Sequence, residues 1–172
     1  MRPAARGLAG FCAAALFAGA LLAAAGKDKL AELQARFDRE SNSVHKAKVL
    51  EKLGGAQFEE TRLLEKAANF SAAGLLWEKF RDNARLTLDA LKKQHPDAER
   101  HSNGYRELEI CLREGIRELS QSQIVAPPEF RPPLQIVRRD LSAMDDEVLR
   151  MLFPRRTVNV PPAPPSGEER QE

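Results

Sequence analysis

Across 172 residues the chain holds only two cysteines, one tryptophan and one tyrosine. So few thiols exclude a disulfide scaffold, and no Cys-x-x-Cys pair is present to hold zinc, exchange thiols or attach haem. Neither His-Glu-x-x-His nor Glu-x-x-His occurs, so a zincin site and a di-iron bundle both lack their ligands. A Gly-x-Ser-x-Gly elbow, a phosphate-cradling glycine loop and a dinucleotide fingerprint are missing as well. These absences predict a protein that is not an enzyme, with no catalytic residues, no cofactor and no metal ligands. The alternating pattern of a half-buried strand is also missing, which points to an all-α fold.

Charge is unevenly placed. Arg2 and Arg6 are the only charged residues in the first 25 positions. An uncharged run from Leu8 to Ala25 follows, ending in Ala23-Ala24-Ala25 ahead of Lys27-Asp28-Lys29. A basic start, an apolar middle and a small-residue end are the parts of a secretory signal. Residues 1–25 are therefore expected to be a cleaved signal peptide, and the protein to be exported, periplasmic or secreted. The alternative is an uncleaved anchor, because 18 apolar residues reach the lower limit for spanning a bilayer. Cys12 follows the bulky Phe11 and precedes most of the apolar run, which does not suit lipoprotein processing. Of 27 basic residues, removal of Arg2 and Arg6 leaves 25, against 25 acidic. A balanced mature chain argues against nucleic acid and against a polybasic membrane contact, since both need a surplus of positive charge. No stable membrane insertion is expected once the signal is removed.

Residues 26–154 read as one helical-bundle domain, an antiparallel arrangement of four to five helices. Leu30, Leu33 and Phe37 begin the first apolar face, and Glu32, Arg36 and Glu40 form a charge ladder beside it. The polar stretch 40–43 is a candidate break, with Ser43 as its cap. A second helix over about 44–67 carries Val44, Ala47, Leu50, Leu53, Phe58 and Leu64, with Gly54-Gly55 marking a kink or the close approach of a neighbour. A third begins at a cap near Asn69 and carries Ala73, Trp77, Phe80, Ala84, Leu88 and Leu91 until Pro96 stops it. The fourth starts near Asn103 with Tyr105, Leu108, Leu112, Ile116 and Leu119. The fifth opens at Pro133 and reads Leu134, Val137, Leu141, Met144, Val148 and Met151, the most regular stripe in the chain. Beyond Pro154 the helical pattern ends. Residues 155–172, with Val160-Pro161-Pro162-Ala163-Pro164-Pro165, are expected to be a disordered proline-rich tail.

Few residues suggest chemistry. The loop His95-Pro96-Asp97-Ala98-Glu99-Arg100-His101 gathers two imidazoles and two carboxylates, donors that zinc or copper accepts, while Asp97 also suits a turn cap. His45 is expected at the surface. The neighbours Glu59-Glu60 and Asp145-Asp146 do not share a helix face, which favours solvation over paired acid–base work. The basic doublets Arg138-Arg139 and Arg155-Arg156 are read the same way. Cys111 sits within an apolar stripe and is expected to behave as a small core hydrophobe. Trp77 is expected in the core against Leu50, Leu53 or Phe58; a groove that anchors a partner peptide is the functional alternative.

Leu53-Gly54, the run Asn69-Phe70-Ser71-Ala72-Ala73, and the continuing stripe of Trp77 and Phe80 resemble one tetratricopeptide-like helical hairpin over residues 53–80. Phe70 and Ala73 occupy the aromatic-x-x-Ala entry to its second helix. This resemblance implies a scaffold that binds another protein or peptide, and it implies no catalytic residues. The rest of the chain is similar to exported helical proteins of bacteria. The expected function is a non-enzymatic protein-binding or envelope structural module. The alternative is a periplasmic small-molecule or metal-binding sensor-type domain. An enzyme of a class without local motifs is a third possibility.

Overall fold

The computed structural model describes residues 28–154, so the signal-peptide and tail expectations lie outside the described residues. All five helices expected from the sequence are present. Helix α1 covers residues 28–39. It is followed by α2 (Ser43–Lys66), α3 (Phe70–Gln94), α4 (Ser102–Val125) and α5 (Arg131–Leu152). No strand occurs among the described residues.

Short connections make successive helices from α2 to α5 alternate in direction. Contacts then bring like-directed helices together. Val44 at the start of α2 lies beside Gly104 at the start of α4, and Arg62 late in α2 pairs with Glu118 late in α4. Likewise Arg81 and Lys92 of α3 reach Asp140 and Glu147 of α5 in the same order. The four long helices occupy the corners of a square in the order α2, α3, α5, α4. Across the centre α3 meets α4, whereas α2 and α5 do not touch. The core stripe of α5 is buried from Leu134 through Val148, as its spacing predicts.

Helix α1 lies over α2 and α3. Phe37 is fully buried, and Lys46 of α2 donates to its carbonyl at 2.9 Å while sitting 4.4 Å above its ring centroid. The Gln34 and Asn83 amides exchange hydrogen bonds between α1 and α3.

Local chemistry explains the helix ends. Asn42, not Ser43, caps α2: its Oδ1 accepts from the His45 amide at 3.0 Å. Ser43 is the first helical residue, and the Gln94 side chain accepts from its amide. At the other end of α2, Ala68 takes the left-handed conformation with φ 57°. The amides of Ala68 and Asn69 return to the carbonyls of Glu65 and Leu64, closing a Schellman motif. Asn69 then turns round and caps α3, its Oδ1 accepting from the Ala72 amide. One residue thus ends one helix and begins the next. Between α4 and α5 a 3-10 turn, Pro128–Phe130, was not expected. Helix α5 also begins earlier than Pro133, because Pro132 and Pro133 fall in its first turn, where amide hydrogens have no intrahelical partner to lose.

Gly54-Gly55 does not interrupt α2. A Cβ on Gly54 would come 3.0 Å from Phe80 and 3.6 Å from Cys111, so the close-approach reading holds for this residue. Gly55 faces open space.

Candidate functional site

Trp77 lies in the core and is 2% exposed. Its ring stacks on Phe58 at 5.2 Å between centroids, and Phe80 stands edge-on to both. Its indole N–H donates to Ser122 of α4 at 3.2 Å, which satisfies the one polar atom the ring brings inside. Phe80 fills the space left by Gly115, where an added Cβ would meet the ring. The aromatic cluster is therefore a packing centre shared by α2, α3 and α4, and Trp77 is not available to anchor a peptide.

Cys111 is buried beside Gly54. Burial pushes its thiol up to about 12, with Glu114 and Glu51 adding to the shift. A thiol so raised is almost never the thiolate that nucleophilic or redox chemistry requires.

The His95–His101 loop folds back on itself. The two imidazoles stack with centroids 5.2 Å apart. Asp97 accepts from the Arg100 amide at 3.1 Å and pairs with its guanidinium, so this carboxylate works as a turn cap. Tyr105 donates to the His95 carbonyl at 2.8 Å, tying the start of the loop to α4. No group of three or more His, Cys, Asp or Glu side chains converges as a metal site among the described residues.

The remaining charged candidates are dispersed. Glu59 is exposed and Glu60 half-buried on successive positions of α2. Asp145 is half-buried near Glu109 and Arg113, and Asp146 is exposed. Burial raises the Asp145 carboxyl above its ordinary value, Glu109 raises it further, and Arg113 opposes them. Arg113 itself pairs with Glu109 at 2.7 Å, as their spacing predicts. Arg139 pairs with Asp140, and Arg138 reaches Gln123.

Two surface features emerge that the sequence reading did not single out. The first is at the end of the bundle where α2 and α4 finish and α3 begins. Leu63, Leu75, Ile124 and Val125 are 52%, 64%, 70% and 56% exposed there. Near this end Phe70 packs against Phe130, their centroids 5.8 Å apart. The second is an open cleft of about 230 Å³ between α1 and α2, lined by Arg36, Glu40, His45, Lys48, Val49 and Lys52. The expected ladder of Glu32, Arg36 and Glu40 does not close into ion pairs; Arg36 lines this cleft instead. The sequence carried a trace of it, since His45, Lys48 and Lys52 recur at i, i+3 and i+7 on α2.

Comparisons of the chain with protein families, with curated proteins and with solved structures find no match. None of the described helices is long and apolar enough to cross a membrane.

Proposed function

We propose that this protein is a non-enzymatic helical module, exported to the periplasm or beyond the cell, that binds another protein or peptide. The supporting observation is the uncovered apolar end of the bundle. Single exposed apolar side chains are ordinary on a protein surface, and several toward one end of a bundle offer apolar area to a partner. Leu63, Leu75, Ile124 and Val125 come from three helices and all lie toward that end, because α2 and α4 run parallel and α3 returns from it. The hairpin resemblance over residues 53–80 points the same way, since Leu63 and Leu75 fall inside it. Export is supported by the charge layout of the first 29 residues.

A photocrosslinking residue at position 124, introduced in the native host, tests the reading. It should give one dominant adduct, of the partner or of a second copy of the chain, that position 85 on the exposed polar surface of α3 does not give. Leu75→Ser should weaken that adduct without unfolding the bundle. Equal, diffuse labelling from both positions would show that the apolar end has no dedicated partner.

A further inference from the structure

The cleft between α1 and α2 has an electrostatic composition that the fold does not require. Arg36, Lys48 and Lys52 bring three fixed positive charges to it, and His45 adds an imidazole. Glu40 is the one carboxylate in the lining, and its Oε1 already accepts from the Asn42 amide at 2.8 Å. Arg36, Lys48 and Lys52 form no ion pair with any carboxylate among the described residues. Arg62, Arg81, Lys92, Arg100, Arg113, Arg117 and Arg139 do have an acidic partner. Other exposed cations such as Arg85 and Arg106 have none among the described residues, so what sets the cleft apart is that three such cations line one concavity.

The arrangement works against local stability. Lys48 and Lys52 stand four residues apart on one helix face, a spacing at which like charges repel. The first turn of α2 carries no acidic residue to offset the positive end of its dipole. The three cations of the lining outnumber its single carboxylate, so the cleft carries a net positive charge. An anion in the cleft would relieve all of these repulsions at once.

The shape narrows the class of ligand. A water molecule's share of volume is about 30 Å³, so the cleft exceeds what a bare tetrahedral anion needs. Val49 is only 4% exposed and forms the apolar floor of the lining, below exposed cationic side chains. Arginine offers a planar fork that matches two oxygens of a phosphoryl or sulfuryl group, and the lysines add point charges.

We propose that the α1–α2 cleft binds the phosphate or sulfate group of a small ester, with Arg36, Lys48 and Lys52 holding the oxyanion and Val49 meeting its organic part. The same headgroup chemistry could come from a free ester or from an anionic lipid. The site lies apart from the apolar end, so its failure leaves the protein-binding reading standing.

Isothermal titration calorimetry of the whole protein with glycerol 2-phosphate, and flotation with phosphatidylglycerol vesicles, distinguish the sources. The expected result is saturable one-to-one binding of glycerol 2-phosphate that falls at least tenfold in the Arg36→Gln, Lys48→Gln double variant. Arg85→Gln, an exposed cation on α3 away from the cleft, should leave it unchanged. Circular dichroism should show both variants folded, since all these side chains are exposed. Flotation with vesicles that the double variant loses, without binding of the free ester, would support the same site with a lipid headgroup as its source. The proposal is overturned by no binding of either probe, or by binding that the double variant retains in full.

Discussion

The layer around Phe80 and the seam along α5 are built from different physics. In the first, glycines at 54 and 115 let α2 and α4 close on an aromatic ring with no slack. In the second, an aliphatic stripe of α5 is buried, and its flanks are tied to α3 by Arg81–Asp140 and Lys92–Glu147 at the surface. Shape governs the first region, because interlocked rings and missing side chains admit one arrangement. Adjustable charge governs the margins of the second, where long side chains can re-form their contacts after a small shift. The aromatic layer should therefore be the intolerant region, and the rim of α5 the permissive one.

Trp77→Ala gives the sharpest test. It removes a buried ring stacked on Phe58 and leaves the Ser122 hydroxyl without its donor, at a cost of about 3–5 kcal/mol. Urea unfolding should show the loss directly; a cost below about 1 kcal/mol would mean the layer is not the centre of the core. In the parent protein, tryptophan emission should be blue-shifted and resist soluble quenchers.

Gly115→Ala comes next. The new methyl would sit 2.8 Å from Phe80 Cζ and closer still to Cε1. Phe58 and Trp77 flank the ring, so it has little room to retreat, and overpacking should cost about 1–3 kcal/mol. A melting temperature equal to that of the parent would show that the layer can breathe.

The adjacent glycines of α2 offer an internal contrast. Gly55→Ala adds a methyl in open space and should stabilise by about 1 kcal/mol through helix propensity alone. Gly54→Ala should forfeit that gain against Phe80. If both substitutions stabilised equally in thermal unfolding, the steric account of this layer would fail.

On the α5 side, a double-mutant cycle on Lys92 and Glu147 should return a coupling of about 0.2–1 kcal/mol, because both ends of the 2.7 Å pair remain in contact with solvent. The coupling should shrink as salt is added. A value that ignored salt would place the pair in a far less polar setting.

The smallest effect is one of pH. Burial holds the Asp145 carboxyl above its ordinary value of 3.8, so the folded state keeps that proton more firmly than the unfolded state does. Stability should decline as pH rises from the ordinary value through the raised folded value, and the penalty should persist above it. Its Oδ1 is buried without a hydrogen-bond partner among the described residues. Asp145→Asn should flatten that segment of the stability–pH curve. An unchanged curve would assign the slope to other carboxylates.

The sequence was a good guide wherever one helix could be read by itself. The α5 stripe, the Asn69 cap and the burial of Trp77 and Cys111 all follow from spacing along a single chain segment. Helix starts were harder. Asn42 and Ser43 are both good caps, and only the backbone decides that Asn42 reaches the His45 amide. Pro132 looked like part of a loop because it precedes another proline, yet two prolines fit a first helical turn. The surface features were the least legible. The cleft exists because α1 lies over α2 and places Arg36 beside Lys48, and no periodicity within either helix specifies that approach. The apolar end depends in the same way on α2 and α4 running side by side.

Trp77 and Ser122 are 45 residues apart, and that separation has a consequence during synthesis. At about 5–20 residues per second, roughly 2–9 s pass between the emergence of the tryptophan and that of the serine that caps its N–H. Gly115, whose missing side chain accommodates Phe80, appears only shortly before. Through that interval the nascent α2–α3 hairpin carries three aromatic rings with no fourth helix to cover them. A growing chain in this condition is a natural client for whatever factor shields apolar surface until α4 arrives.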